Sequence, residues 1–528
     1  MRLLLRGSRV CAMFVSDHWH SEFSFRTLGR RLASMPLVVL LLPFILGIVL
    51  AECYVVPMSY ALALLVVLLA LLWAMARRRV VWLYGFVLLV VLGYVVAELR
   101  VPRATTPVGE AVVMTIDVES EPLQRDGYSL ADGRIREWQD EAGVTHSADD
   151  RVRLWVECDG VSEGDRVVVG ARLRESISRY LDYDLLLHRR GFVGGVWLDD
   201  YSIVSLEHSE PKGLHRRAVD KLWRYAKDST SYATVEAMVA GSRRMMSEGL
   251  REAYSRTGLS HLMAVSGLHL GIVAMVVGFL LLPLTLLHRG HRLANLLTIV
   301  VLWFFAVMSG MSPSVMRAAI MFSVLLIANA TSLHYNVLNS LAATVLLMLV
   351  YNPNYLWDVS FQLSVAAVFG IVAWAMPLRR SVGLRRGAVG WLVSSLLVGV
   401  VASCWTLPII SYNFGNIPFV GILLTPFAIV TTSLIIGCGL FALLLPDALA
   451  QYAEQLAEWS AALQNWVVER VADVSWVSVE YAMSERGVAL CYLLFSIISL
   501  VCWSINRKKV ITLSEYDEYS RYRTTKER

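Results

Sequence analysis

A serine and two histidines stand in one apolar stretch of the chain, where side chains of these types could do chemistry. The stretch reads HLMAVSGLHLG over residues 261–271, and Ser266 and His269 share a helix face because they are three positions apart. A serine beside a histidine pairs a nucleophile with a base, but acyl transfer also needs an oxyanion hole. Ionisable side chains at membrane depth otherwise mark a transport pathway. Catalysis, transport and tight structural packing through Gly267 and Gly271 all stay open.

Further polar residues interrupt the apolar half of the chain. Arg317 follows Pro313 by about one helical turn, so it is either a snorkelling interfacial cation or a cation that faces a passing anion. Asp358 and Gln362 share a helix face, and we expect a structural Asp358–Arg317 pair rather than proton transport. The segment 403–419 contains two prolines, and a broken element of this kind either surrounds a translocation path or forms an external loop.

Arginines recur on predicted β-strands in the first half of the chain. They lie on two strand faces, the first with Arg151 and Arg153 and the second with Arg166, Arg172 and Arg174. Basic strand faces beside an aromatic residue such as Trp155 suit single-stranded nucleic acid. A solvated surface is the commoner explanation of such faces, and acidic neighbours weaken the basic signal.

No cofactor or metal site is expected from the sequence. The seven cysteines form no CxxC pair, and His261 and His269 have no third ligand at a suitable spacing. No GxxxxGK[ST] motif is present, so energy for vectorial transport must come from a partner or a gradient.

The composition defines the fold class. Of 528 residues, 56% are hydrophobic and only 17% charged, whereas soluble proteins have about 25% charged residues. Apolar runs of about 20 residues recur, and each is long enough to cross a bilayer. The sequence therefore predicts a polytopic α-helical membrane protein with about 10–12 membrane segments and one small all-β domain.

Hydropathy and basic clusters divide the chain into segments. A basic cytoplasmic N-terminus (1–35) precedes three transmembrane helices (36–98), an extracytoplasmic β-rich domain (99–210), an amphipathic helical connector (211–260), a transmembrane domain (261–505) and a cytoplasmic tail (506–528). Both termini are expected in the cytoplasm. Residues 99–260 are expected outside it, which is the periplasm in a cell with two membranes.

Four details of this division are specific expectations. The runs 111–119, 151–158 and 165–174 alternate as strands do, while the polar segment 121–150 is expected to be a long loop. A continuous span is expected over 262–287. Residues 417–445, interrupted by Pro426, are expected to form a re-entrant or hairpin pair. Residues 447–483 are expected to be an amphipathic helix in the outer interface or packed on the bundle.

At these residues the chain resembles the ComEC competence protein family, the inner-membrane channel of bacterial DNA uptake. HLMAVSGLHLG is similar to the family's central signature, and SGMSPSVMRAAIM, WDVSFQLS and TLPIISYNFGNIP follow in the family's order. The segments PLVVLLLPFILGI and YLDYDLLLHRRGFVGGVW resemble the family's opening span and the end of its external domain. That domain is an OB-like β-barrel in the family, which fits the predicted strands.

The resemblance implies a function and partners. We expect an inner-membrane channel that takes up single-stranded DNA during natural transformation, with an extracytoplasmic DNA receptor, a cytoplasmic helicase or motor, and a separate nuclease as partners. Many family members carry a metallo-β-lactamase-like domain after the membrane module, whereas only about 23 polar residues follow the last span here. No enzymatic activity is therefore expected. The alternatives are a transporter of another anionic polymer or solute and, less expected, an intramembrane hydrolase that uses Ser266 and His269.

The site residues follow from this interpretation. Glycine-rich and broken helices are expected to line a polar path for phosphates, because exposing the DNA charge to hydrocarbon is prohibitive. The expected channel-lining residues are Thr257, Gly258, His261, Ser266, Gly267, His269, Gly271, Ser312, Pro313, Arg317, Asp358, Gln362, Asn413 and Gly415. The expected DNA-binding residues are Arg151, Arg153, Arg166, Arg172 and Arg174.

Overall fold

The fold was analysed in a computed structural model of the chain. It describes residues 36–499 except 55, 75–80, 103, 121, 126, 141, 159, 175–184, 186, 209–213, 225, 243–244, 264, 332–335, 383–386 and 475–476. The expected N-terminal segment 1–35 and tail 506–528 lie outside the described residues.

Three apolar helices open the structure: α1 (Pro36–Cys53), α2 (Met58–Ala74) and α3 (Val81–Leu99). Helices α1 and α3 approach to backbone contact at two glycines. A Cβ added to Gly93 would lie 2.2 Å from the Phe44 carbonyl oxygen, and one added to Gly47 would lie 2.0 Å from the Val90 carbonyl oxygen. Small residues at such crossings let membrane helices pack without a hydrophobic driving force between them.

The next segment forms the β-domain. Its strands are β1 (Ala111–Val118), β2 (Leu123–Arg125), β3 (Tyr128–Gln139), β4 (Thr145–Val156), β5 (Arg166–Arg172), β6 (Gly194–Leu198) and β7 (Ile203–Glu207). The strand order is β6-β4-β3-β1-β5-β7, with β4 and β6 parallel and the other pairs antiparallel. A bridge between Arg174 and Gly195 joins the end of β5 to β6, so five of the strands close on themselves around a core of buried valines, leucines and isoleucines.

The expected strands within 111–119, 151–158 and 165–174 are present, but the expected loop at 121–150 is wrong. That segment contains β2, β3 and the first half of β4. Strand β3 turns Ala131, Gly133 and Ile135 inwards, with charged residues between them on the outer face. Alanine and glycine contribute little to hydropathy, so the strand period was hidden from the sequence pattern.

Helices α4 (Leu214–Trp223), α5 (Ser229–Val239) and α6 (Glu248–Arg256) follow the β-domain. Every residue from Ser231 to Ala240 is buried, and α5 belongs to the largest apolar core of the described structure. The segment 211–260, expected to be an amphipathic connector, is therefore an integral part of the helical domain.

The continuous span expected over 262–287 is broken. The structure has α7 (Ser260–Met263), α8 (Gly267–Leu280) and a 3₁₀ turn (Leu282–Leu286). Ser266 has extended backbone dihedrals and stands at the N-cap of α8. The helix can restart there because the side chain of His269, in the first turn of α8, accepts the backbone N–H of Ser266.

The middle of the helical domain contains α9 (Gly290–Met308), α10 (Pro313–Thr331), α11 (Val337–Tyr351), α12 (Val359–Gly370), a π-helical stretch (Ile371–Ala375), α13 (Met376–Val382) and α14 (Ala388–Phe414). The broken element expected within 403–419 is wrong in its first part. Helix α14 continues through Pro408 to Phe414, and only Gly415, with φ of 62°, ends it.

The expected re-entrant or hairpin pair within 417–445 is also wrong. A short strand β8 (Asn416–Pro418) leads into one helix, α15 (Gly421–Leu444), which continues through Pro426. The hairpin lies further along the chain, where α15 turns at Pro446 into α16 (Asp447–Ala472). Strand β9 (Ser478–Glu480) then pairs with β8, so the open end of the hairpin is closed by two strands, and α17 (485–499) ends the described chain.

Helix α16 is inverted relative to a helix of a soluble protein. The apolar residues that predicted its amphipathic character are all exposed: Leu449, Tyr452, Leu456, Trp459, Leu463 and Trp466. Its buried face instead contains Glu454, Glu458, Gln464 and Asn465. Apolar side chains turned outwards beside α15 suit hydrocarbon, so of the two expected placements the structure favours packing on the bundle.

Six described helices are long and apolar enough to cross a membrane, namely α1, α9, α10, α12 with its continuation to Arg379, α14 and α15. Four further apolar helices of 10–17 residues are α2, the Leu83–Leu99 part of α3, α8 and α11. The chain is a polytopic α-helical membrane protein that carries a β-domain.

The close approach of α1 and α3 generates a stability prediction. Gly93→Val places two methyl groups against the backbone of Phe44, whereas a Cβ on Gly85 of the same helix meets only a leucine methyl at 3.9 Å. Overpacking costs about 1–3 kcal/mol, so Gly93→Val should lower the melting temperature in detergent and Gly85→Val should not. Equal melting temperatures for the two variants would contradict this packing.

Candidate functional site

A cavity of about 280 Å³ lies where the β-domain meets the helical domain. Both parts contribute to its wall. The β-domain supplies Asp132, Arg151, Arg153, Arg189, Arg190 and Phe192, and the helical domain supplies Asn352, Asn354, Tyr355, Trp357 and Asp358. The structure thus brings Arg151 and Arg153, expected to bind DNA, to the same cavity as Asp358, expected to line a channel.

Neighbouring strands position the first two arginines. Arg151 and Arg153 lie two apart on β4, and Asp132 on β3 is the register partner of Arg153. The Asp132 carboxylate accepts from Arg151 Nη2 at 3.0 Å and also pairs with Arg153 Nη1. The Phe192 ring contacts both guanidinium groups, with its centroid 4.6 Å from Arg151 Cζ and 4.8 Å from Arg153 Cζ. The two cations are therefore fixed between one carboxylate and one ring.

A third arginine connects the β-domain to the helices. Arg189 donates from Nη2 to Glu52 Oε1 at the end of α1, at 2.6 Å. Its guanidinium also stacks on Trp357, with Cζ 4.5 Å from the ring centroid. Arg190 beside it is exposed and lines the cavity.

Asp358 has a local role that differs from the expected one. It is the N-cap of α12, and its carboxylate accepts the backbone N–H of Phe361 at 2.9 Å. In the described structure it makes no ion pair with Arg317, so the expected Asp358–Arg317 pair is wrong. A carboxylate at an N-cap already satisfies a free backbone donor, and here it also faces the arginines of the cavity.

The four arginines of the cavity are not equally free. Arg151 pairs with Asp132 and Glu119, Arg153 with Asp132, and Arg189 with Glu52. On the exposed strand faces arginines are likewise matched by acids, through the ion pairs Arg134–Glu119, Arg134–Asp149, Arg136–Asp117, Arg136–Asp149 and Arg166–Asp117. The cation of the cavity that has no described ion pair is Arg190, and an anionic ligand at the junction would meet this charge first.

The pairing of Arg166 shows in the titration of its partner. Burial acts to raise the pKa of Asp117, but hydrogen bonds from Arg166 and Arg136 outweigh it and hold that pKa below its usual value. Arg166, expected to bind DNA, is thus already engaged. Arg172 and Arg174 are exposed and lie outside the cavity lining.

The start of the central signature folds around a glycine. Gly258 has φ of 77°, and a Cβ there would lie 2.8 Å from the side chain of Pro418, the last residue of β8. The buried Thr257 hydroxyl donates to the Ala253 carbonyl at 2.9 Å. His261 is exposed, with Nδ1 3.1 Å from the Gly258 carbonyl oxygen. These expected channel residues join α6 and α7 to the strand that precedes α15.

The side chains of Ser266 and His269 are within hydrogen-bond distance of each other, as their spacing of three residues allows. His269 Nδ1 lies 2.8 Å from Ser266 Oγ and also accepts the backbone N–H of Ser266 at 3.2 Å. Because Nδ1 accepts, the ring hydrogen is on Nε2, which is buried and has no partner among the described residues. The pair closes the N-terminus of α8 at the helix break.

The remaining signature residues pack α8 against α10. A Cβ on Gly267 would lie 3.6 Å from Ala318, and one on Gly271 would lie 3.5 Å from Phe322. Ser312 and Pro313 begin α10, and the Ser312 hydroxyl is buried without a partner in the described part of the chain.

Arg317 lies one turn into α10 and is only 4% exposed. Its Nη2 lies 3.4 Å from Ser314 Oγ, and Nη1 has no hydrogen-bond partner in the described structure. It is therefore a buried cation whose charge is matched by no described acid.

Three further expected residues are accounted for by local contacts. Gln362 donates to the Leu356 carbonyl at 2.8 Å, and Asn413 donates to the Ile409 carbonyl at 2.8 Å. Gly415 ends α14, and its carbonyl accepts the Tyr481 N–H at 2.9 Å. Asn413 and Gly415 lie together at the end of α14 and Gln362 lies on α12, and the expected role of all three in lining a channel stays a prediction.

Sequence reasoning missed part of the cavity. Arg189, Arg190 and Phe192 lie within the segment HRRGF, which was noted only for its resemblance, and Trp357 was not singled out as a site residue. The local signal was present, since two consecutive arginines beside an aromatic residue form a basic–aromatic pattern. What only the fold could provide was the meeting of this segment with residues 352–358.

The fold and site define a class, polytopic membrane proteins with a barrel domain joined to the helices by a basic cavity. The family model called Competence protein matches residues 238–507, just over half of the chain. The chain belongs to this family, the ComEC-type competence proteins.

The relatives give the same assignment. The chain is 24% identical over 344 residues to "ComE operon protein 3" of Bacillus subtilis (strain 168), covering 63% of this chain and 42% of that protein. It is 27% identical over 326 residues to "Competence protein ComA" of Neisseria gonorrhoeae, covering 57% and 43%. It is 24% identical over 295 residues to "Recombination protein 2" of Haemophilus influenzae (strain ATCC 51907 / DSM 11121 / KW20 / Rd), covering 53% and 36%. The chain thus spans less than half the length of these relatives, and no solved structure matches it.

The Arg189 contacts predict how the domains are held together. Trp357→Ala removes a cation–π contact worth about 0.5–2 kcal/mol. The population of the state in which the segment around Arg189 is detached from the helices should therefore increase about 2- to 30-fold. Tryptic cleavage after Arg189 and Arg190 of the full chain in detergent should accelerate accordingly. Trp391→Ala, at a residue 48% exposed on α14, is the control. Equal cleavage rates in both variants would mean that Trp357 does not hold the segment.

Proposed function

We propose that this protein carries single-stranded DNA inward across the bacterial inner membrane during natural transformation, and that the junction cavity receives the strand. Membership of the competence protein family supports a role in DNA uptake. The observation that carries the proposal is the cavity itself, where Arg190, which has no described ion pair, and three ion-paired arginines stand beside three aromatic side chains. Phosphates are bound by guanidinium groups and bases stack on rings, so this mixture suits a single strand.

Position also favours the cavity over the outer strand faces. Arginines on those faces are matched by carboxylates, as Arg151, Arg153 and Arg189 are in the cavity, so what the cavity adds is the unpaired Arg190 beside aromatic rings and the helical domain. Arg190 has an exposed side chain and lies at the wall of the cavity. A strand bound at this wall lies directly against the helical domain, as it must before it can cross.

The barrel supports the same proposal. Its closed five-stranded order with one parallel pair corresponds to an OB-like fold, a scaffold that binds single strands across its strands and loops. We propose that the β-domain is extracytoplasmic and that both termini are cytoplasmic, as the basic clusters indicate. The ten apolar helices, together with α16 and α17, give about 12 membrane segments.

Within the helices we assign Arg317 to phosphate. It is a buried cation with no described acidic partner, close to the unpartnered hydroxyl of Ser312 at the start of the same helix. A charge in this state is costly unless an anion visits it. The passing DNA backbone supplies that anion in this proposal, and the motive force is supplied by a partner or a gradient.

We assign no catalytic step to this chain. Ser266 and His269 are hydrogen-bonded, which is the observation in favour of a hydrolase. The same ring nitrogen accepts the backbone N–H of Ser266, which makes it a capping group rather than a free base. Ser266→Ala should therefore weaken α8 without removing an activity.

DNA binding by the full chain tests the cavity. Arg190→Ala removes a cation that makes no described side-chain pair, so the fold should be kept. We expect single-strand affinity to fall about tenfold, the ratio given by about 1.4 kcal/mol. The slope of log affinity against log salt should become shallower by about 0.7. Fluorescence anisotropy of an oligonucleotide with nanodisc-embedded protein provides both values.

Arg172→Ala is the matched control, because Arg172 is an equally exposed arginine of the same domain outside the cavity. Its affinity and salt slope should remain near the wild-type values. The opposite result, with Arg172→Ala weakened and Arg190→Ala unchanged, would place the strand on β5 instead. Normal transformation in a strain that lacks the gene would overturn the function itself.

A further inference from the structure

The inverted helix α16 places carboxyl groups inside the helical domain. Glu454 and Glu458 are four residues apart on its buried face, with exposures of 1% and 4%, and Glu236 on α5 is 1% exposed. Tyr232, also on α5, is fully buried and contacts the Trp223 ring, with the ring centroids 4.2 Å apart and the planes tilted by 57°. Three acids and a phenol thus face one another between α5 and α16.

Two of the three carboxylates have their hydrogen bonds satisfied. Glu458 Oε1 accepts the backbone N–H of Lys227 at 2.9 Å and also that of Asp228, directly before α5. Glu236 Oε2 accepts the indole N–H of Trp223 at 2.8 Å. Donors of this kind stabilise an ionised carboxylate, and the N-terminus of α5 adds the favourable end of its dipole beside Glu458.

Glu454 has no such support. Neither of its carboxyl oxygens has a hydrogen-bond partner in the described structure, and neither does the Tyr232 hydroxyl. An ionised carboxyl buried without donors and beside another carboxylate is strongly disfavoured, whereas the neutral acid is tolerated. Glu454 and Glu458 thus form a pair of carboxyl groups in different environments. The surroundings of Glu454 favour the neutral acid, and those of Glu458 favour the ionised form.

We propose that Glu454 is a proton-binding site inside the membrane domain, with Tyr232 as its neighbour and Glu458 as its charged partner. The bound species is a proton, because a buried carboxyl without hydrogen-bond donors is tolerated as the neutral acid and strongly disfavoured as the anion. The site is also separate from the DNA route. Three acids would repel a phosphate chain, so this polar interior serves a different ion.

A separate network of buried polar side chains lies further along α16. Thr234 and Tyr254 both donate to Asn465 Oδ1, at 3.0 and 2.8 Å. Gln464 Nε2 donates to the Tyr254 hydroxyl at 3.1 Å, and its carbonyl accepts from Thr431 at 2.7 Å. The network links α5, α6, α15 and α16, and the polar side chains in it are hydrogen-bonded to one another, unlike Glu454.

The charged and titratable groups near Glu454 are few. From α5 they are Tyr232 and Glu236, with Asp228 at its N-cap. From α16 the neighbour is Glu458, whose Oε1 accepts the backbone N–H of Lys227, a basic residue just before α5. Helix α15 contains only one titratable residue, Cys438, and from α4 the Lys221 ammonium donates to the Leu443 and Leu445 carbonyls at 2.8 and 3.2 Å. No described basic side chain pairs with Glu454.

The test compares thermal unfolding of the full chain in nanodiscs across pH. A proton held by folded Glu454 stabilises the protein at low pH, and this stabilisation is lost as pH rises above the ordinary glutamate pKa of about 4.3. Glu454→Gln keeps the neutral form at every pH. As pH rises above about 4.3, we expect the melting temperature of the wild type to fall relative to that of Glu454→Gln. The control Glu480→Gln, at an exposed residue of β9, should show the same pH dependence as the wild type. Parallel curves for Glu454→Gln and wild type would overturn the site.

Infrared spectroscopy provides a second measurement. The wild type should show a neutral carboxyl band at neutral pH, which Glu454→Gln removes and Glu454→Asp shifts. If Glu454→Gln does not accumulate, the wild-type band and its shift in Glu454→Asp decide, and absence of the band overturns the proposal. Oligonucleotide affinity should be unchanged in Glu454→Gln, which separates failure of this site from failure of the DNA cavity.

Discussion

The structure depends on the cost of placing a charge in hydrocarbon. Every ionised group must have water, an opposite charge or several hydrogen bonds around it. The described arginines follow this rule outside the helices, where Asp132, Phe192 and Glu52 hold them in place. Within the helices Glu458 follows it through two backbone N–H donors, whereas Glu454, which has no described partner, follows it in our proposal by holding a proton. The same constraint thus applies to the arginines at the junction of the two domains and to the carboxyl groups buried between α5 and α16.

Alternation of side chains made the barrel predictable in part. Strands β1 and β5 show the period because valine, methionine and isoleucine occupy their inward positions. Strand β3 fits the same sheet with Ala131 and Gly133 inwards, because the Leu154 and Ile116 side chains already fill the space there. Alanine and glycine at inward positions add little to a hydropathy pattern. The charged residues that alternate with them then make the segment resemble a polar loop. Whether this segment forms a strand depends on how its residues pack against the neighbouring strands, and the sequence of the segment alone does not show that packing.

The hairpin of α15 and α16 shows a related limit. Counting membrane crossings from hydropathy treats each charged residue as a penalty, whatever face it occupies. Glu454 and Glu458 made α16 look interfacial, although its outward face is as apolar as that of a membrane helix. Once its acids are known to face α5, the helix is a full partner of α15. The hairpin expected inside 417–445 is thus formed instead by α15 and α16 together.

The cavity could be predicted in its parts but not as a whole. Arg151 and Arg153 were identifiable as a basic strand face, and Asp358 as a polar residue at a helix start, but about 200 residues separate them along the chain. Their meeting depends on Arg189, which reaches both Glu52 and Trp357 and so fixes the barrel on the helices. A positive surface facing solvent would attract any polyanion equally. In the proposed function, a strand bound at this surface lies against the helical domain on one side, so the join between the two parts, rather than the number of arginines, would give the site its direction.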